Sequence, residues 1–311
     1  MARGDASHRI PRDEGVPTAQ REILAQFESA IAGLRTREIQ RGLRHLLGRA
    51  AEVTAPEAGP QIDLGDVPGP VAELALAVRT PSARRQMERL ISDAELHRVA
   101  PIDPGTMARM VRPYRWLLER AGDDGIRLTD AGRLPPDEVA AVIEALDLGA
   151  EGIGHVSREN QAPPVVQLRE TAQATGLVHK QRGRLLLTAR GSGLRRDPAA
   201  LWWHLAERMP LRSAAVSEVQ PGLILLACVA ARFTDTLEAT IARILTAIGW
   251  MNSDGSPLTG NQAARATTGT HAVLRRLGAL PFGPRPGQSP WPTPEGVAFA
   301  RAALCTWPAA T

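Results

Sequence analysis

A mainly α-helical fold follows from three observations in the 311-residue chain. Apolar residues recur at helical spacing along most of its length, and no segment alternates like a strand for more than about five residues. One unit, a helix followed by a short hairpin and Thr-x-x-Gly, recurs three times. With 43% apolar and 23% charged residues the chain can bury a sizeable core.

Residues 1–17 mix Arg, Asp, Gly and Pro without periodicity and predict a disordered tail. In 18–54, Ile23, Leu24, Phe27, Ile31 and Leu34, then Ile39, Leu43, Leu46 and Leu47, follow a three-to-four rhythm that predicts two amphipathic helices. The Pro- and Gly-dense stretch 55–70 reads as a linker. The first repeat unit, with its preceding helices, is placed at 71–150, the second at 151–216 and the third at 217–311.

Unit one runs YRWLLERAG, DDG, IRL, TDAG; unit two runs PPVVQLRETAQATGLV, HKQRG, RLLL, TARG; unit three runs TGTHAVLRRLGAL, FGPRPGQSP, WPTPEG. Each ends in Thr-x-x-Gly, at Thr129/Gly132, Thr188/Gly191 and Thr293/Gly296. A threonine leaving a strand caps the next helix, and glycine tolerates a close backbone approach. Helix, hairpin and capped helix make a winged helix, so the expected architecture is three tandem winged-helix-like units behind an N-terminal helical segment. In such a unit the helix before the hairpin can enter a DNA major groove, and the hairpin tip can touch phosphate.

The net charge is only +4, and a single lysine, Lys180, stands among 37 basic residues. That bias reads as coding composition, so the local distribution of charge carries the argument. Between 169 and 197, Arg169, Lys180, Arg182, Arg184, Arg190, Arg195 and Arg196 face only Glu170 and Asp197. Between 255 and 294, Arg265, Arg275, Arg276 and Arg285 face no acidic residue. Unit one instead carries Asp123, Asp124 and Asp130 around its turn, which would repel phosphate and suit a packing or protein-contact role.

In unit two, Lys180, Arg182 and Arg184 supply charge-assisted donors at the hairpin tip, with Arg169, Arg190, Arg195 and Arg196 around them. In unit three, residues 258–280 have helix-turn-helix spacing, and the second helix would offer Thr270, His271 and Arg275 to bases or phosphates. These ten residues form the expected nucleic-acid-binding set.

Residues 125–146 and 154–210 carry Leu128-Thr129, Gly132, Leu134-Pro135-Pro136, Arg158-Glu159-Asn160, Leu168-Arg169-Glu170, Gly183, Leu187-Thr188, Asp197-Pro198 and Leu201-Trp202. This pattern, over roughly a third of the chain, resembles the C-terminal region of actinobacterial insertion-element passenger proteins of the TnpR-like, plasmid-ORF type. The β-rich domain of that family is not recognisable here. The resemblance therefore implies a shared helical module and an association with mobile elements, and supplies no catalytic residue.

No P-loop, GxGxxG, GxSxG or HExxH occurs, and GAEGIG at 149–154 follows a helix, the wrong setting for a nucleotide loop. Tyr114 is the sole tyrosine and sits among apolar neighbours, which favours packing over nucleophilic chemistry. The histidines show no metal-ligand spacing, and His204 reads as a packing or helix-surface residue. Arg158-Glu159-Asn160 is expected to cap a helix or to bridge two domains by hydrogen bonds. No cofactor or metal is expected.

Two cysteines cannot build a disulfide framework, and a reducing cytoplasm fits. The polar N-terminal residues predict no signal peptide, and the longest apolar run, Leu223–Ala231, is about half a membrane span. The expected function is a non-enzymatic DNA-binding or regulatory protein that holds DNA phosphates through units two and three. The alternative is a protein-interaction scaffold, associated with mobile elements or defence, without nucleic-acid contact.

Overall fold

The computed structural model describes residues 64–97, 102–148, 156, 158–211, 216–233, 237–280 and 292–308. All belong to one compact unit, Gln61–Thr311. The expected tail at 1–17, the helices at 18–54, the glycine-rich segment at 149–154 and the unit-three loop FGPRPGQSP lie outside the described residues.

Thirteen α-helices and three short strands are described. They are α1 (Gly69–Ala77), α2 (Pro81–Ala94), α3 (Pro104–Met110), α4 (Arg112–Ala121), β1 (Ile126–Arg127), α5 (Pro136–Ala145), α6 (Pro163–Ala174), β2 (Val178–Gln181) and β3 (Arg184–Leu187). There follow α7 (Ala189–Leu194), α8 (Pro198–Glu207), α9 (Val216–Ala230), α10 (Leu237–Ala247), α11 (Gly260–Ala266), α12 (Thr268–Arg276) and α13 (Pro294–Cys305). The protein is mainly helical, as its periodicity predicts.

Proline largely starts these helices. Eight of them carry Pro in their first two positions, where the missing N–H is an orphan in any case. This corrects one boundary: Pro70, read as part of a linker, opens α1, which begins at Gly69.

The core centres on α9, whose residues Leu223 to Ala230 are all buried. It packs against α13, α10 and α2, so the longest apolar run serves as the middle of the fold. Burial pushes the thiol of Cys228 on this helix up to about 12. Trp202 of α8 meets Phe299 of α13 edge to face, ring centroids 5.2 Å apart. Among the described residues, no helix is long and apolar enough to cross a membrane.

The sheet corrects the repeat. Its order is β1-β3-β2, both pairings antiparallel, with Ile126 opposite Leu185 and Gln181 opposite Arg184. The strand IRL of unit one therefore pairs with the hairpin of unit two, and α4, β1, α5, α6, β2 and β3 form one module across the boundary expected at 150. Thr129 and Gly132 do not cap a helix: the Gly132 N–H donates to the Thr129 carbonyl at 2.7 Å in a turn with φ +68° at the glycine.

Units two and three, by contrast, repeat one junction nearly atom for atom. The hydroxyl of Thr188 accepts from the N–H of Gly191 at 2.9 Å, and that of Thr293 from Gly296 at 3.0 Å. Thr188 N–H donates to the Leu177 carbonyl at 3.1 Å, and Thr293 N–H to that of Ala279 at 3.2 Å. Each preceding helix is followed by a glycine at positive φ, Gly176 at +73° and Gly278 at +67°. A methyl group on Gly191 or Gly296 would overlap the carbonyl oxygen of Leu177 or Ala279, so glycine is required at both. The two helices that precede these junctions, α6 and α12, pack on one another across the boundary expected at 216.

Candidate nucleic-acid interface

The β2–β3 hairpin turns in two residues, Arg182 and Gly183, with φ of +48° and +72°. Positive φ at both positions is what a type I′ turn requires, and its twist matches the flanking strands. Glycine meets that demand freely, whereas Arg182 holds a strained backbone at the exposed tip.

Between this hairpin and the segment after β1 lies an open cleft of about 580 Å³. Arg127, Lys180, Arg182 and Arg184 line it, against one carboxylate, Asp130. Lys180 Nζ donates to the carbonyl of Gly132 at 2.5 Å. Arg184 donates from Nε to the Asp124 carbonyl at 2.7 Å and from Nη2 to that of Gly125 at 3.1 Å. Backbone carbonyls orient these two cations without neutralising them. No hydrogen bond or ion pair among the described residues engages the side chains of Arg127 or Arg182. Partial burial, with the nearby Arg169 guanidinium, holds the Lys180 ammonium below the usual lysine range.

The remaining expected residues have different fates. Arg169 is buried: Nε donates to Glu159 Oε1 at 2.5 Å and Nη1 to Gln173 Oε1 at 2.8 Å. Its partner Glu159 also accepts the Leu134 N–H at 3.1 Å. The Arg158-Glu159-Asn160 group thus bridges the chain after β1 to α6, and Arg169 belongs to that bridge, not to a binding surface. Arg195 pairs with Asp123 at 3.2 Å. Arg190 and Arg196 are exposed, on and just after α7, outside the cleft.

The helix-turn-helix residues of unit three do not present a reading face. Thr270 is buried, His271 and Arg275 are half-buried, and α12 lies against α6. Burial, helped by the Arg275 charge, holds the His271 imidazole below the usual histidine range.

Sequence reading misses Arg127 and Gly132, which it leaves in the acidic unit. One signal was available: Arg127 stands between Ile126 and Leu128, both buried, so strand alternation points it outward. Nothing local says that this strand joins the other hairpin. The acidic turn is likewise nearer the cations than expected, since Asp123 touches Arg195 and the Asp124 carbonyl receives Arg184.

Two other candidates resolve as packing. Tyr114 is fully buried with its hydroxyl 2.9 Å from Thr171 Oγ1, and burial pushes its phenol well above the usual tyrosine range. His204 is buried, with Nε2 2.9 Å from the Thr175 carbonyl, so Nε2 carries the proton and donates; burial holds its imidazole below the usual range. Among the described residues, no group of three His, Cys, Asp or Glu is placed to hold a metal ion.

Comparison with known proteins finds no matching family model, no similar curated protein and no matching solved structure.

Proposed function

We propose that this chain is a non-enzymatic, DNA-binding or regulatory protein of winged-helix type that holds DNA phosphates with a single wing, the β2–β3 hairpin. The order helix, strand, helix, helix and hairpin from α4 to β3, with the first strand beside the last, supports the winged-helix reading. The observation that carries the function is the convergence of Arg127, Lys180, Arg182 and Arg184 on one open cleft against one carboxylate. Guanidinium and ammonium groups so placed donate charge-assisted hydrogen bonds to phosphate oxygens.

Relative to the sequence expectation, the proposed interface gains Arg127 and loses Arg169 and Thr270, which are buried. The repeated Thr-x-x-Gly junction supports a second, related module around α12.

Salt-dependent binding tests the proposal. Four phosphate-neutralising cations give a log–log slope of about −3 to −4, and replacing Lys180, Arg182 and Arg184 together with Ala flattens it by about two to three units. An unaltered slope in a folded triple variant removes the hairpin from the interface.

A protein-interaction scaffold keeps one observation in its favour. Trp203, 41% exposed on α8, has the character of an interface anchor. On that reading the triple variant keeps its partner and the Trp203→Ala variant loses it.

A further inference from the structure

We infer that the cleft takes double-stranded DNA by its backbone alone, so that duplexes of unrelated sequence bind equally and unpaired strands bind worse. The inference rests on the wing reading above and deepens it by naming the nucleic-acid class and the mode of recognition.

Base reading in a winged helix needs an exposed helix before the hairpin. That helix is α6, and of its residues only Pro163 and Glu170 are exposed. Val165, Leu168, Arg169, Thr171 and Ala172 are buried, and α12 of the second module lies against it. The one exposed charged side chain on α6 is Glu170, 3.5 Å from Arg169 Nη2, which repels phosphate and would keep the helix out of a groove lined by it. Gln173, a residue type that could read adenine, spends its carbonyl oxygen on buried Arg169. The equivalent helix of the second module is no better placed, because Thr270 is buried too. The two helices that could have read bases cover one another.

The cleft argues the rest. Its lining is Arg127 to Asp130, Gly132 and the hairpin from Lys180 to Arg184, with no aromatic residue. Proteins that hold unpaired strands stack bases on aromatic rings, and no ring is offered here. What remains is a group of cations set by backbone carbonyls, and such a group responds to phosphate density. Duplex DNA has the higher density and releases more counterions per contact than a single strand.

Fluorescence anisotropy with the full chain at one fixed low salt concentration decides the matter. The probes are three 20-base-pair duplexes of unrelated sequence and the separated strands of each. One bidentate base contact changes affinity by roughly fivefold or more. The inference expects the three duplexes to agree within about threefold, and every single strand to bind more weakly than its duplex. A tenfold spread among duplexes, or single strands that bind as tightly, overturns it while leaving the phosphate-binding reading intact. Absence of binding to every probe overturns both.

Substitution gives a second readout. Arg127→Gln with Arg182→Asn, where Asn tolerates positive φ, lowers all duplex affinities by one common factor. A loss confined to one sequence assigns base reading to these residues and sinks the inference.

Discussion

Helix α6 and the hairpin that follows it are consecutive in the chain, and they treat their cations in opposite ways. Arg169 on α6 is buried against Glu159, whereas Arg182 at the hairpin tip has no such partner and stands exposed. Both fall in the same basic stretch of sequence. A local excess of arginine is therefore two populations, one that joins pieces of the fold and one that is free to meet an anion. The difference lies in what each element packs against. α6 packs against both α4 and α12, while the hairpin has solvent along its cleft.

Breaking the buried population has the largest expected effect. Glu159→Ala takes from buried Arg169 its one buried carboxylate, leaving it Gln173 and the exposed Glu170 at 3.5 Å, and also removes the acceptor of the Leu134 N–H; a loss of about 3–5 kcal/mol is expected in denaturant unfolding. A loss below about 1 kcal/mol would mean that this bridge does not hold α6 in place.

The repeated junction sharpens the comparison next. Gly191→Ala and Gly296→Ala each force a methyl group into a backbone carbonyl, and each should cost about 1–3 kcal/mol in thermal or chemical unfolding. Gly193, two residues along α7, has nothing within 4 Å of an added methyl, and Gly193→Ala should be neutral or stabilising. If only one of the two junction variants is destabilised, the equivalence of the two junctions fails.

The smallest effect is a pH dependence confined to the helix pair. His204 reaches the end of α6 through Thr175, and His271 lies on α12; burial lowers both. Below about pH 6.5 the unfolded chain takes up protons that the folded chain resists. Their contribution is therefore complete above that pH and is lost as pH falls through the lower folded values. Melting temperatures measured from pH 8 to pH 5 should decline on the acid side, and His204→Gln should reduce the decline. An equal decline in the variant would assign the effect elsewhere.

The helices were legible because their signals are local. Apolar spacing, Pro at the first turn and the Thr188 and Thr293 caps act within four residues, and the caps appear where their sequences place them. The hairpin was legible in part: a basic turn and the strand from Arg184 stand where the sequence places them, whereas His179 to Gln181, read as turn, belong to β2. Residues Lys180, Arg182 and Arg184 of the candidate site could be named on that basis alone.

Identical letters misled where the deciding neighbour was distant. Thr129 and Gly132 match the other two motifs, yet they form a turn, because Ile126 pairs with Leu185 and the chain must double back before α5. The packing of α6 on α12 joins segments about a hundred residues apart in the chain, and Arg169 and Thr270 on these helices are both buried. Short-range backbone preference is written in consecutive residues. Strand pairing and helix docking depend on which apolar faces meet after the chain has closed long loops, and the three-dimensional fold alone chose which cations stayed at the surface.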